Sequence, residues 1–485
     1  MTSSVSSVSS AAVSSAEDLA RLDAVSLAAA IRTKAVSPRE VVEAVIDRIE
    51  RRDGPINSVC TIAREQARQA ALAAEAAVMH GEPLGPLHGV PVGIKDVTQT
   101  AGIRTTFGSK LYETNIPAAD AEVVRRLKAA GAIVVAKTNT PEFAAGANTF
   151  NEVFGVTRNP WDVRLSAGGS TGGGAAALAA GLFPLAEGTD FGGSLRVPAS
   201  FCGVVGLRPT PGLTPLRPSA LPWDSLRVSG PMARTAQDVA LAMEAIAGPC
   251  AGSPISLPVT MDGLLDKVRA FSAKGLRVGY VDDVSGVGID SGIAALCRRA
   301  ARVLEEAGAV VEETVLDLAD GREAFPVLRG AAVLLTHRSR MDQIDRMGKN
   351  LAGNIAYGKS LSLAQVVEAE AARARLWERT CAFFSRYDVL LTPCVPVPPF
   401  PVEQNHPTHI AGQPMKSYID WIAPTYVLTL VGVPTASVPA GLDVNGLPVG
   451  LQVAAPRLGE ATVLGVARVM QELVPTKTIA PGFAA

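Results

Sequence analysis

The 485-residue sequence has no surplus of either charge. It contains 45 Lys and Arg residues against 46 Asp and Glu residues, a formal net charge of −1 at pH 7. Proteins that bind nucleic acid or anionic membranes carry clustered positive charge, so this balance argues against both partners. No stretch reaches the roughly 18 apolar residues of a membrane span. The most apolar run, residues 175–186, is short and is interrupted by Pro184. We therefore expect no nucleic-acid partner and no membrane anchor.

Cysteine and histidine are also scarce. The six cysteines form no C-x-x-C motif, and together with the five histidines they show no metal-ligand spacing. We expect buried free thiols in a reducing cytoplasm, with no metal site and no cofactor. The cysteines are Cys60, Cys202, Cys250, Cys297, Cys381 and Cys394.

The first residues lack the features of a secretory signal. The segment MTSSVSSVSSAAVSSAEDL has no basic start and no sustained apolar core. Its Ser/Ala-rich composition predicts a disordered tail over residues 1–16. Together with the cysteine content, this indicates a cytoplasmic protein.

Glycine, by contrast, is concentrated in residues 166–196. This stretch reads SAGGSTGGGAAALAAGLFPLAEGTDFGGSLR, with Ser170 and Ser194 set among glycines on either side of an alanine-rich segment of helical character. Glycines let main-chain N–H groups converge on one point and let a substrate approach the backbone closely. A serine at such a point can act as a nucleophile whose oxyanion the N–H groups stabilise. Each loop alone is more typical of a flexible turn.

A lysine upstream follows a predicted buried strand. The run VPVGI before Lys95 is apolar and partly β-branched. Such a lysine either extends its charge toward solvent and pairs with Asp96, or is desolvated enough to lose its proton near neutral pH. In the second case the amine can act as a general base where no histidine does. The local sequence alone favours the first interpretation.

Taken together, these residues resemble the amidase signature family of amide hydrolases. Lys95 lies in GIKD, Ser170 in GGSTGG and Ser194 in TDFGGSLRVPASFCGVVGLRPT. Other segments, among them AEVVRRLKAAGAIVVAKTNTPEFAAG, FGVTRNPWD and GVPTASVPAGLDVNGLPVGLQV, extend the resemblance over roughly residues 17–475. The combination is specific, although each motif alone is not.

The resemblance implies a Ser-cisSer-Lys triad. Ser194 would be the nucleophile, and Ser170 would be the bridging serine after a cis peptide bond from Gly169. Lys95 would be the base, taking a proton from Ser170 while Ser170 takes one from Ser194. The oxyanion hole implied by the resemblance consists of the main-chain N–H groups of Phe191, Gly192, Gly193 and Ser194.

Two positions depart from the family pattern. The family usually has Ser-Ser in its first glycine loop, and here Thr171 is the second residue of the pair and keeps a hydroxyl. Where the family often has Thr before Gly-Gly-Ser, this chain has Phe191. We expect the main-chain N–H of Phe191 to serve the oxyanion and its side chain to narrow or line the acyl pocket.

The resemblance also implies an α/β fold, the amidase signature fold, with a large mixed β-sheet sandwiched by helices. Local patterns agree: a helix is predicted after Ser37-Pro38, and predicted strands at residues 132–135, 277–280 and 387–392 alternate with helices. Because the family segments interleave, we expect residues 17–485 to form one catalytic domain. Its variable, substrate-shaping region is expected at about residues 250–420.

The predicted function is hydrolysis of a small-molecule amide through an acyl-enzyme on Ser194, releasing an acid and ammonia or an amine. Aromatic residues are only 5% of the chain, and several of them are candidates for the substrate pocket. They favour an aryl or short hydrophobic acyl amide, while carbamates and hydrazides stay open. No acidic or basic cluster near them in the sequence indicates a charged substrate, and a homodimer is left open as the assembly. The candidates are Phe143, Phe191, Trp223, Trp421 and Tyr426.

Three other functions stay open. The family also includes the glutaminase subunit of a tRNA-dependent amidotransferase, which passes ammonia to partner chains. Residues 168–172, GGSTG, match the G-x-S-x-G nucleophile elbow of α/β-hydrolase-type esterases. That fold requires an acid and a histidine downstream, and His337, His406 and His409 have no clear triad context. A non-catalytic binding relative is disfavoured, because all three triad positions are filled.

Overall fold

The structure, a computed structural model, describes residues 16–484. Residues 1–15 of the predicted disordered tail lie outside the described residues, and the first helix already begins at Ala16. The helices are α1 (Ala16–Arg21), α2 (Ala24–Arg32), α3 (Pro38–Arg52), α4 (Arg64–His80), α5 (Glu122–Ala129), α6 (Gly172–Ala179), α7 (Arg196–Cys202), α8 (Ala236–Ile246), α9 (Leu264–Ala270), α10 (Ser291–Arg302), α11 (Gly321–His337), α12 (Lys349–Ser360), α13 (Leu363–Arg386), α14 (Ala423–Val431) and α15 (Glu460–Leu473).

Strands from both halves of the chain form one large sheet. Its eleven strands lie in the order β1-β3-β2-β8-β10-β9-β16-β17-β13-β11-β12, and three two-stranded ribbons are separate from it. The strands are β1 (Val59–Ile62), β2 (Pro91–Lys95), β3 (Ile133–Thr138), β4 (Phe150–Asn151), β5 (Gly155–Val156), β6 (Arg158–Asn159), β7 (Asp162–Ser166), β8 (Leu185–Asp190), β9 (Val205–Arg208), β10 (Val228–Ala233), β11 (Arg277–Tyr280), β12 (Val310–Glu313), β13 (Val389–Pro393), β14 (His409–Ile410), β15 (Gln413–Pro414), β16 (Thr435–Leu442) and β17 (Pro448–Ala454).

The sheet is mixed. Strand β2 runs parallel to both β3 and β8, and β11 runs parallel to β12 and β13. The other pairings in the sheet are antiparallel. Every residue of β2, β3, β10, β13 and β17 is buried, as expected for strands covered by helices on both faces. The predicted α/β architecture is confirmed.

Local sequence signals mark the start of α3 and the position of β3. The side chain of Ser37 caps α3 and forms a capping box with Glu40, so the helix predicted after Ser37-Pro38 is confirmed. The strand predicted at 132–135 is β3, which continues to Thr138. The sequence did not reveal β1, a half-buried strand of four residues that pairs with β3 at the sheet edge.

The order of the strands brings the candidate residues together. Because β2 and β8 are parallel neighbours, their carboxyl ends at Lys95 and Asp190 meet at the same edge of the sheet. Helix α6 begins at Gly172, two residues after Ser170, and packs against both strands. A Cβ at Gly173 would lie 2.3 Å from the main-chain nitrogen of Asn139, so only glycine permits this close approach.

None of the helices between residues 16 and 484 has the length and apolar character needed to cross a bilayer.

Candidate active site

Lys95 is fully buried at the end of β2 and contacts three hydroxyl groups. Its Nζ donates to Ser170 Oγ at 2.7 Å, to Thr171 Oγ1 at 2.9 Å and to Thr189 Oγ1 at 3.1 Å. The hydroxyl that Thr171 retains therefore accepts a hydrogen bond from Lys95. The interpretation in which Lys95 extends its charge toward solvent and pairs with Asp96 is wrong, because strand β2 is buried along its whole length.

Burial also sets the protonation of Lys95. Desolvation penalises the ammonium and lowers the pKa of Lys95 from 10.5 to about 7, although the negative charges of Glu187 and Asp190 oppose the shift. Near neutral pH, Lys95 is therefore a neutral amine in a substantial fraction of the protein molecules. A neutral amine 2.7 Å from a serine hydroxyl can accept its proton.

The loop before α6 holds Ser170 against the second serine loop. The peptide bond between Gly169 and Ser170 is cis, in the position that the resemblance implied. The main-chain N–H of Thr171 donates to the carbonyl of Ser194 at 3.1 Å. Gly168 has a φ of +73°, and a Cβ there would lie 2.9 Å from Pro198 Cα, so this position requires glycine.

The turn after β8 divides the implied oxyanion donors into two groups. Asp190 accepts hydrogen bonds from the main-chain N–H of Gly193 at 2.9 Å and of Leu195 at 3.2 Å. The N–H of Gly193 is therefore engaged inside the protein, and Gly193 does not line the cavity. Phe191, Gly192 and Ser194 do line it. The expectation for Gly193 is corrected: this residue shapes the turn through its N–H and its φ of +129°.

Asp190 itself is held by two fully buried arginines. Arg196 Nε lies 3.1 Å from Asp190 Oδ2, and Arg208 Nη1 lies 3.3 Å from Asp190 Oδ1. Their positive charges hold the pKa of Asp190 at about 2, against the effect of desolvation. The carboxylate that organises the turn is thus ionised at any working pH.

Ser170 and Ser194 line a common cavity of about 290 Å³, together with two of the predicted pocket residues, Phe143 and Phe191. The sequence did not single out Phe325, which also lines it and makes an edge-on contact with the Phe191 ring at 6.0 Å.

Three predicted pocket residues lie elsewhere. Trp223 is 71% exposed. Trp421 is fully buried and stacks on Phe201 at 5.7 Å, as part of the hydrophobic core. Tyr426 is buried behind the cavity wall, where its ring stacks on Phe325 at 4.4 Å. The structure therefore does not bring these three side chains into contact with the cavity. Trp421 and Tyr426 pack in the protein interior, and most of Trp223 is exposed to solvent.

The cavity wall is strongly basic. Four arginines and one histidine line it, while no Asp or Glu is among its lining residues in the part of the chain that the structure describes. The expectation that no charged cluster lies near the pocket is wrong, because these residues are far apart in the sequence and form no motif. They are Arg217, Arg227, Arg329, Arg340 and His337.

His337 packs against one of the aromatic residues of the cavity. Its ring meets Phe143 edge-on at 4.9 Å, and its Nδ1 has no hydrogen-bond partner within residues 16–484. Burial lowers the pKa of His337 to about 4, and the charges of Arg340, Arg227 and Arg329 contribute to the shift, so the ring is neutral. The other candidate histidines, His406 and His409, do not line the cavity.

Among residues 16–484, no group of three or more His, Cys, Asp or Glu side chains is placed to hold a metal ion. The six cysteines form no disulfide, and Cys202, Cys297 and Cys394 are buried, whereas Cys381 is exposed and Cys60 and Cys250 are partly exposed.

Sequence reasoning also missed Thr189 and Asp190 as site residues. Both lie in TDFGGSLR beside the predicted nucleophile. Asp190 ends strand β8 and Arg196 follows six residues later, so an acidic residue with an arginine close behind it was the available signal for an ion pair.

Comparison with known proteins identifies amide hydrolases as relatives of this chain. A family model described as Amidase matches residues 40–464. An acylamidase of Rhodococcus erythropolis is 35% identical over 466 residues, which cover 95% of this chain and 97% of that protein. A glutamyl-tRNA(Gln) amidotransferase subunit of Moorella thermoacetica is 37% identical over 484 residues, covering 94% and 97%. The crystal structure of a bacterial aryl acylamidase of the amidase signature family superposes with a TM-score of 0.87 at 30% identity, covering 94% of this chain and 96% of that one.

Proposed function

The chain belongs to the amidase signature family and is an amide C–N hydrolase, and on this premise we propose that it hydrolyses a small-molecule amide through an acyl-enzyme on Ser194. One contact supports this function above all. The Nζ of the buried Lys95 lies 2.7 Å from Ser170 Oγ, and Ser170 and Ser194 line the same cavity. A general base, a proton-transferring hydroxyl and a second hydroxyl next to main-chain N–H groups are the parts that amide cleavage requires.

The first half-reaction acylates Ser194. Neutral Lys95 accepts the proton of Ser170 Oγ, and Ser170 accepts the proton of Ser194 as the Ser194 oxygen attacks the amide carbonyl carbon. The N–H groups of Phe191, Gly192 and Ser194 are the proposed donors to the resulting oxyanion. Loss of one such donor costs about 3 kcal/mol of transition-state stabilisation.

Breakdown of the tetrahedral intermediate completes the acylation, and hydrolysis of the ester then regenerates the enzyme. The proton held on Lys95 returns through Ser170 to the amide nitrogen, the C–N bond breaks, and ammonia or an amine leaves. Water then attacks the Ser194 ester while the same relay takes its proton, and the relay returns that proton to Ser194 Oγ as its bond to the acyl carbon breaks and the acid is released. The relay therefore serves as base in one direction and as acid in the other.

The cavity favours a compact substrate. Its volume of about 290 Å³ lies just below the usual range for small-molecule sites, roughly 300–1,000 Å³, which supports a small acyl group. Phe143, Phe191 and Phe325 supply aromatic surface, which supports an aryl or short hydrophobic acyl amide. The same nucleophile could also attack a carbamate or a hydrazide.

A second candidate is the glutaminase subunit of a tRNA-dependent amidotransferase, because several relatives at 34–37% identity carry that name. Glutamine is a zwitterion whose α-ammonium needs an acceptor, and a carboxylate is the strongest one. The cavity residues described here include no Asp or Glu, which weighs against glutamine. The α/β-hydrolase alternative at Ser170 is wrong, because the chain has a different fold and Ser170 accepts a hydrogen bond from Lys95.

Ammonia release by the purified chain tests the proposal. Phenylacetamide, butyramide and glutamine are supplied without partner proteins, to the wild type and to the Lys95→Ala and Ser194→Ala variants. We expect turnover of at least one simple amide and a loss of more than 1,000-fold in either variant. Glutamine turnover that strictly requires partner chains would favour the glutaminase subunit. Unchanged hydrolysis by Ser194→Ala would overturn the acyl-enzyme mechanism.

A further inference from the structure

Arg329 is a buried cation without a matching anion. It is 8% exposed on helix α11, and its Nη2 donates to Tyr418 Oη at 2.6 Å. Within residues 16–484 it forms no ion pair with a carboxylate. A buried charge that is not paired is strongly unfavourable, and an anion bound beside it would remove that penalty.

The other buried arginines are compensated in two ways in this fold: three pair with a carboxylate, and Arg234 donates to three main-chain carbonyls. Arg196 and Arg208 share the carboxylate of Asp190. Arg48 pairs with Glu17 and also donates to main-chain carbonyls. Arg329 has one neutral hydroxyl as its hydrogen-bond partner in the part of the chain that the structure describes, and the residue lines the cavity that holds the two serines.

The guanidinium groups of Arg329 and Arg227 both lie against the ring of Phe191. Arg227 Cζ is 5.2 Å from the centroid of the Phe191 ring, and Arg329 Cζ is 5.8 Å from it. Arg227 has a carboxylate neighbour in Asp224, but the Nε to Oδ2 distance is 3.9 Å. The other oxygen of Asp224 accepts from the main-chain N–H groups of Leu226 and Arg227. Asp224 thus balances Arg227 only in part.

His337 adds an unused polar group to this wall. It is 4% exposed, it lines the cavity, and its Nδ1 has no partner in the described part of the chain. A neutral imidazole can donate one hydrogen bond to an anion. Arg340 is less available to bind an anion, because its Nε already donates a hydrogen bond to Tyr112 Oη at 2.7 Å.

We propose that the substrate is an amide bearing a second, negatively charged group, a carboxylate, which Arg329 and Arg227 bind beside Phe191 with His337 as a further donor. This inference rests on the proposed amidase function and specifies its substrate class. A carboxylate is planar and matches the paired N–H donors of a guanidinium. Because the cavity residues between 16 and 484 offer no carboxylate for a cationic group, the substrate is a monoanion, not a zwitterionic amino acid amide.

Matched substrates that differ only in charge test the proposal. The nitro group has the planar shape of a carboxylate without its charge. The pairs are 4-carboxyphenylacetamide with 4-nitrophenylacetamide, and glutaramate with 4-nitrobutanamide. Ammonia release at pH 8 gives kcat and KM for each. We expect kcat/KM for the carboxylates to exceed that for the nitro compounds at least tenfold, with most of the difference in KM.

Substitution of the arginine then assigns the effect. Arg329→Met should lower kcat/KM for the carboxylates at least tenfold through KM and change it less than threefold for the nitro compounds, while Arg329→Lys should retain part of the preference. Arg299→Met, at an exposed position of α10, is the matched control and should leave both unchanged. Equal or better hydrolysis of the nitro compounds by the wild type, or an equal loss for both classes in Arg329→Met, would overturn the proposal.

Calorimetry on the Ser194→Ala variant separates this inference from the proposed function. We expect 4-carboxyphenylacetamide to bind at least tenfold more tightly than its nitro counterpart. Hydrolysis of neutral amides without any charge preference would leave the amidase function standing and refute the anion site. Selective binding of the carboxylate without turnover of any amide would support the anion site and refute the amidase function.

Discussion

At the scale of single residues, the chemistry depends on the protonation of Lys95. Its pKa of about 7 predicts that kcat/KM for a neutral amide rises tenfold per pH unit on the acid side and levels off above about pH 7. Initial rates with phenylacetamide between pH 5.5 and 9 measure this, since that substrate does not titrate. A flat profile over this range would show that Lys95 is not the base.

The same residue should make stability depend on pH. Between pH 7 and 10.5 the unfolded chain keeps the lysine proton while the folded protein releases it, so the wild-type free energy of unfolding rises with pH across this window. Lys95→Met lacks this dependence. We therefore expect Lys95→Met to be more stable than the wild type at pH 6, with an advantage that shrinks by roughly 3 kcal/mol by pH 9.5.

Denaturant unfolding at both pH values measures this difference, and Lys359→Met, at an exposed lysine of α12, serves as the control. An advantage of Lys95→Met that grows with pH would contradict the assignment of a desolvated amine.

Thr171, where the family usually has a second serine, offers a third residue-scale prediction. Its Oγ1 accepts a hydrogen bond from Lys95 at 2.9 Å. Thr171→Val keeps the shape and removes the acceptor, so we expect kcat/KM to fall about tenfold and the acid limb of the pH profile to move to lower pH. Thr171→Ser should retain both the activity and the limb. A valine variant with wild-type kinetics would show that this contact is dispensable.

At this scale the sequence predicted what its motifs contain. Lys95, Ser170 and Ser194 lie in short, distinctive segments, and the structure places both serines on one cavity with the buried Lys95 hydrogen-bonded to Ser170. Arg329 was not predictable, because an arginine in a helix without a motif is ordinarily a surface residue. Its burial depends on how α11 packs against distant parts of the chain.

At the scale of elements, the turn between β8 and α7 is organised by one carboxylate. Asp190→Asn would leave the buried Arg196 and Arg208 without a charge partner and weaken two main-chain hydrogen bonds. We expect a loss of about 3–5 kcal/mol in the free energy of unfolding. Because the pKa of Asp190 is about 2, the loss should be constant between pH 5 and 9.

Denaturant unfolding checks this, with Asp345→Asn at an exposed position as the control. A loss below about 1 kcal/mol, as for a surface ion pair, would contradict the role of Asp190 in the turn.

Elements were predictable where local signals are strong. The cap and first-turn proline at Ser37-Pro38 mark the start of α3, and an apolar run marks β2. Strand β1 gave no such signal, since it has four half-buried residues and exists through its pairing with β3. Tertiary pairing, not propensity, decides the state of such short segments.

At the scale of the whole molecule, we propose that residues 17–485 form one catalytic domain. The strands of residues 59–233 form one side of the large sheet and those of residues 277–454 the other, and the pairing of β9 with β16 joins the two sides. Helix α7 of the first half packs against β16 and β17 of the second, so the two halves share a core. We expect far-UV circular dichroism, tryptophan fluorescence and amide hydrolysis to be lost together at one denaturant concentration. Separate transitions for these probes would divide the chain into two units.

The fold class was predictable at this scale, and the charge of the cavity was not. Composition gives a net charge of −1, yet the cavity wall carries four arginines. An average over the chain says nothing about which side chains meet at one point. The four arginines come from the loop at 215–227, from helix α11 and from the segment that follows it, and the fold brings them to one cavity.

The catalytic parts and the variable wall of the cavity come from different segments of the chain. The proton relay lies on β2, in the loop before α6 and in the turn between β8 and α7, whereas Phe325 and Arg329 lie on α11, within the region expected to vary. Substitutions on one helix can therefore change which amide fits the cavity while the catalytic parts stay intact. Such a division lets one reaction be directed to new substrates without rebuilding its catalytic centre.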